Sequence, residues 1–84
     1  MKNEFMVYPN PSEGDLNCML YSEDKTSAEL KLYDITGKIV YSEKIQLSEG
    51  RNDLRFNINV APGILFCNIT SSKTNYGTTK VMFK

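Results

Sequence analysis

Few residues in this 84-residue chain have the chemistry for catalysis. Histidine is absent, which removes the commonest general base, the commonest zinc ligand and the usual pH switch together. What remains is a set of carboxylates, five tyrosines and two cysteines, Cys18 and Cys67. Two thiols without an imidazole do not complete a zinc site. The acidic residues Glu13, Asp15, Glu23 and Asp24 lack the regular oxygen-ligand spacing of a calcium loop, so they read as solvated turn charge. No nucleophile–base pair can be assembled, and the chain is expected to be no enzyme and to need no cofactor or metal.

Three other features have chemistry of a different kind. Asn68-Ile69-Thr70 matches a glycosylation sequon, a pattern that arises readily by chance and here falls inside a strand. Tyr8, Tyr21, Tyr33, Tyr41 and Tyr76 fit either an aromatic sugar platform or ordinary cross-strand packing. Cys18 and Cys67 sit at alternating core positions on two different strands. They fit either a pair of small buried hydrophobes or an inter-sheet disulfide, the latter only if the α-carbons lie within about 7 Å.

The elements that would position these residues are strands. Apolar residues recur with period two almost throughout, and no helical pattern competes. Phe5 and Val7 share one face of a first strand. Leu16, Cys18 and Leu20 line a second, opened by Gly14, and Leu30 and Leu32 a third. Ile39, Tyr41 and Ile45 mark a fourth, running from Lys38 to about Leu47. Leu54, Phe56, Ile58 and Val60 alternate with polar residues in a fifth. Leu65, Cys67 and Ile69 mark a sixth, and Tyr76 to Lys84 forms the last, with Val81 and Phe83 in register. Ser22 to Ser27 and Ser71 to Asn75 read as polar connections. About seven short strands with turn signals at roughly 8–12-residue spacing predict an all-β, immunoglobulin-like antiparallel sandwich. The chain is expected to be one domain, residues 1–84, small enough to bury only about 60–65% of its unfolded surface.

Ten basic and ten acidic residues cancel, so nothing electrostatic points to nucleic acid or an anionic membrane. No apolar run approaches the roughly 18–20 residues of a membrane span, and no signal peptide is present. The chain is therefore expected to be either cytosolic or a fragment of a longer protein with its export signal upstream.

Punctuation between the strands is specific. Pro9 and Pro11 flank Asn10, and neither proline has an amide to give a ladder. Each also holds the residue before it extended, so Tyr8 to Gly14 reads as a stiff bend. Asp34 and Gly37 make a tight turn, Asp as side-chain acceptor and Gly for positive φ, and Lys38 follows. Pro62 and Gly63 mark another corner. The bend and the turn are structural elements first and docking elements second. The last strand, with Lys80, Val81 and Lys84, is either an edge guarded by charge or one whose free ladder groups accept a partner strand.

These blocks, in order, resemble the C-terminal sorting domains of the type IX secretion system. The resemblance is carried by Val7-Tyr8-Pro9-Asn10-Pro11 with Gly14, by Leu30 to Val40 around Asp34, Gly37 and Lys38, by Ala61-Pro62-Gly63-Ile64-Leu65-Phe66, and by the closing Lys80-Val81-Met82-Phe83-Lys84. Leu65 stands where that family usually has an aromatic residue. The resemblance covers the chain from Phe5 onward. It implies a non-catalytic address label attached to an N-terminal cargo domain, with the secretion machinery as partner and export through the periplasm and outer membrane. In many members a surface sortase then removes the domain; other cargoes are released. The rival expectation is an immunoglobulin-like accessory module that binds carbohydrate or protein at the cell surface.

Overall fold

The structure is a computed structural model and describes residues 5–84. Seven strands form: β1 (Phe5–Tyr8), β2 (Asp15–Ser22), β3 (Thr26–Tyr33), β4 (Ile39–Leu47), β5 (Gly50–Asn57), β6 (Gly63–Ser71) and β7 (Asn75–Phe83). They make two sheets, β1-β2-β5 and β4-β3-β6-β7, with every strand pairing antiparallel. This is the immunoglobulin-like sandwich that the alternation predicts.

The two inner faces meet in one core. Leu16, Cys18, Leu20 and Phe56 from the three-stranded sheet pack against Leu30, Leu32, Ile45, Leu47, Leu65, Cys67, Ile69, Val81 and Phe83 from the other. Leu20, Leu30, Leu32, Cys67, Ile69 and Val81 have no exposed surface. Burying each such aliphatic side chain contributes about 1.5–3 kcal/mol, and this closed layer fixes the strand register. A one-residue slip would turn a whole apolar set to water.

Five expectations need correction. The stretch Ser71 to Asn75 is a connection only at 72–74, because Ser71 ends β6 and Asn75 begins β7. The polar stretch Ser22 to Ser27 is a loop only at 23–25, because Ser22 ends β2 and Thr26 and Ser27 already pair with Leu47 and Gln46 of β4. The fourth strand starts at Ile39, since both main-chain groups of Lys38 bond to Asp34 within the preceding turn. Ile39 does not continue the buried alternation of Tyr41 and Ile45. A bulge between Leu32 and Tyr33 sets Ile39 against Tyr33 and Tyr41 against Leu32, leaving Ile39 and Val40 exposed. The fifth strand begins earlier, at Gly50, and stops at Asn57, while buried Ile58 bonds its amide to the carbonyl of Gly14 at 2.8 Å.

Its early start carries a polar residue inward. Asn52 is buried, and its amide oxygen accepts from Ser48 N while its nitrogen donates to the carbonyls of Ser48 and Gly50. One side chain thus closes the β4–β5 turn and satisfies itself.

Candidate functional site

The strand order gathers the punctuating motifs at one end of the sandwich. Tyr8 pairs with Asn17, Asp15 with Asn57, Tyr33 with Ile39 and Phe66, and Gly63 with Phe83. The Pro9–Gly14 bend, the Asp34–Lys38 turn, the Pro62–Gly63 corner and the end of β7 therefore share that end. The other three turns lie at the opposite end, where Phe5 also sits.

The bend is more than a connection. After β1 the chain leaves the three-stranded sheet and runs beside β7, forming a parallel bridge between Ser12 and Phe83. Ser12 N donates to Met82 O and Lys84 N donates to Ser12 O, each at 2.8 Å. Between the prolines, Asn10 supplies what their missing amides cannot. Its Nδ2 donates to Lys80 O at 3.1 Å, and its Oδ1 accepts from Met82 N at 3.0 Å. A side-chain amide carries a donor and an acceptor on one group, which is what an open strand edge needs. Both X–Pro bonds of the segment are cis. Of the two expectations for the last strand, a charge-guarded edge or free ladder groups, neither describes this stretch: Lys80 O, Met82 N, Met82 O and Lys84 N are occupied by Asn10 and Ser12 of the same chain. The carbonyl of Lys80, both main-chain groups of Met82 and the amide of Lys84 are therefore not open to a partner strand.

The rest of the strap is locked locally. Ser12 is fully buried, and its hydroxyl donates to Asp15 O at 2.7 Å while accepting from Gly14 N at 3.0 Å. Gly14 holds φ +124°, and a Cβ there would stand 3.1 Å from the carbonyl oxygen of Ile58. Glycine is required on both counts.

The Asp34 turn is organised by its carboxylate. Oδ1 accepts from the Thr36 hydroxyl at 2.6 Å, from Thr36 N at 2.9 Å and from Lys38 N at 3.0 Å. Asp34 N donates to Lys38 O, and Gly37 N to Asp34 O, with Gly37 at φ +89°. The Thr36 hydroxyl first, then the Lys38 amide, hold the Asp34 carboxyl below its ordinary range although it is no more than half-buried. Lys38, Pro62, Gly63, Lys80 and Lys84 are all exposed at this end. Val81 is not; its side chain has no exposed surface and belongs to the core.

The remaining reactive groups separate from this end or are silenced. Cys18 and Cys67 are free thiols, buried on the facing inner sides of the two sheets. Burial pushes both up to about 12, and for Cys18 the nearby Cys67 adds to it. Asn68 of the sequon is buried, with its amide nitrogen donating to Asn75 Oδ1, Gly77 O and Thr78 Oγ1. The tyrosines are dispersed. Tyr8 and Tyr21 are exposed on the three-stranded sheet, Tyr33 lies on the other sheet, and Tyr41 and Tyr76 pack against the core. Tyr21 and Tyr76 both line a cleft of about 430 Å³ at the far end, with Asp24 and Lys73. No group of three or more metal-ligating side chains occurs among the described residues.

Fold and site together define a small all-β module whose distinctive residues build one sealed end. Residues 6–84 match the secretion system C-terminal sorting domain family, and the chain belongs to that family. No curated protein matches it. Such a domain is the C-terminal sorting signal of type IX secretion, recognised by that machinery, and it directs export through the outer membrane to the cell surface or beyond. No helix among the described residues is long and apolar enough to cross a membrane.

Proposed function

We propose that this domain works only by being bound, with no chemistry of its own, and that the end built from the strap, the Asp34 turn and β7 is what the machinery reads. The supporting observation is the convergence of Pro9, Asn10, Pro11, Gly14, Asp34, Gly37, Lys38, Pro62, Gly63, Lys80 and Lys84 on that end. Val81 contributes from beneath, by anchoring β7 in the core. Residues 1–84 act as a single unit covalently attached to an N-terminal cargo, and a surface sortase separates the two after export. The cargo joins at the Phe5 end, so the end with the motifs is left clear. Deleting Thr79 to Lys84 would remove Val81 and Phe83 from the core and so confuse docking with folding. The cleaner test fuses residues 5–84 to a passenger carrying a signal peptide, in a host that has the type IX system. The passenger should reach the surface or medium; retention in the periplasm would refute the reading.

A further inference from the structure

Among the described residues, eight large apolar side chains stand exposed, and five of them, Ile35, Ile39, Val40, Ile64 and Met82, collect at one end of one face. The β-sheet explains the grouping. Ile64 pairs directly with Met82, and the next row runs from Ile39 through Tyr33 and Phe66 to Lys80. The bulge puts Val40 beside Ile39 on this outer side, and Ile35 projects from the Asp34 turn with 77% of its surface exposed. Folding gives these residues no core role, since none belongs to the buried cluster or packs on it. Scattered exposed apolar residues are ordinary on a soluble domain, but a contiguous group marks a contact surface.

Charge around the group is mainly positive. Lys38, Lys80 and Lys84 are exposed, and none forms an ion pair among the described residues. The carboxylates at this end include Asp34, whose Oδ1 is committed to its own turn, and Glu13, which follows Ser12 on the strap. This bias arises in a chain with no net charge. Apart from Ile35 the apolar side chains stand on hydrogen-bonded strands of one sheet, which suits a protein surface better than insertion among lipid tails.

We propose that the outer face of β4-β3-β6-β7 around Ile39, Val40, Ile64 and Met82 is the docking surface for the export machinery, and that it meets a protein surface with an apolar centre and an acidic rim. This deepens the functional reading above and rests on it. The strap is part of the device, because Asn10 and Ser12 hold the main chain of Met82 while its side chain stands on this face.

The test compares passenger fusions in a type IX-competent host. The variant Ile39→Thr/Val40→Thr/Met82→Thr removes apolar contact while keeping strand-compatible residues. Its exported fraction should fall about ten-fold or more, with the folded passenger held in the periplasm. Met6→Thr/Tyr21→Thr, on the other sheet, should export like the unaltered domain. Lys38→Glu/Lys80→Glu keeps the apolar group and should also lower export, whereas Lys38→Arg/Lys80→Arg should not; this pair decides the matter if the triple variant fails to fold. Normal export of a folded triple variant, or of the double Glu variant, overturns the proposal. So does a dimer in sedimentation, or binding to anionic phospholipid vesicles, that the triple substitution abolishes, since either assigns the face to another occupant. If the unaltered fusion is not exported, the functional reading itself fails; if only the surface variants behave normally, the reading survives without this surface.

Discussion

Replacing Asn10 isolates the contribution of the strap. Asn10→Ala removes the donor to Lys80 O and the acceptor for Met82 N, bonds of 3.1 and 3.0 Å that close the β7 edge. A hydrogen bond contributes a net of about 0.5–1.5 kcal/mol, so losing two costs about 1–3 kcal/mol. Both bonds are solvent-accessible, which lets water replace them in part and places the expected loss near 1–2 kcal/mol. Asn10→Asp is a sharper probe. It keeps an acceptor for Met82 N but sets a carboxylate against the Lys80 carbonyl oxygen, so it should destabilise at neutral pH by at least as much as one lost bond. In acid the new carboxyl carries a proton that it can donate to Lys80 O, and the defect should shrink. Urea unfolding followed at pH 7 and pH 3.5, referenced to the unaltered domain at each pH, measures both changes. Amide exchange at Met82 should accelerate selectively in the Ala variant. A midpoint unchanged by either substitution, with Met82 still protected, would refute the claim that Asn10 acts as a surrogate strand.

Two further outcomes follow from the packing. A Cβ at Gly77 would lie 2.7 Å from the Phe5 ring, and the residue holds φ +151°, so Gly77→Ala should cost about 1–3 kcal/mol. Adding Phe5→Ala should recover the steric part in a double-mutant cycle, and strictly additive losses would contradict the contact. Cys18 and Cys67 should resist a thiol reagent at pH 8 until the domain is unfolded. Their folded-state values near 12 lie above the ordinary 9.0, so the neutral form is favoured by folding. Their contribution is complete below about pH 8 and is lost as pH rises through 9 to 12. Unfolding midpoints measured from pH 7 to 11 check this, and a flat profile would contradict it.

The sandwich was legible because its core strands are half-buried and their residues alternate. Leu16, Cys18 and Leu20, or Leu65, Cys67 and Ile69, have only one arrangement that hides all three. Turn chemistry was equally legible at Asp34 and Gly37, where the carboxylate and the positive φ act within five residues of sequence. What escaped was non-local. Asn10 meets Lys80 and Met82 across about seventy positions, and nothing in the spacing of Pro-Asn-Pro announces that pairing. The available signal was chemical: between two residues without backbone amides stands a side-chain amide, which offers both a donor and an acceptor. The bulge at Val40 left no sequence mark either, so Ile39 read as core and stands in water. Asn52 was missed because a polar residue in phase with Leu54 and Phe56 looks like a strand end until its three bonds are seen.

The central claim is that this folded domain is itself the address that the type IX machinery reads. The most direct measurement is the exported fraction of a signal-peptide passenger fused to residues 5–84, in matched hosts with and without that machinery. The account predicts passenger at the surface or in the medium of the first host and only in the periplasm of the second. Equal distribution in the two hosts would contradict it.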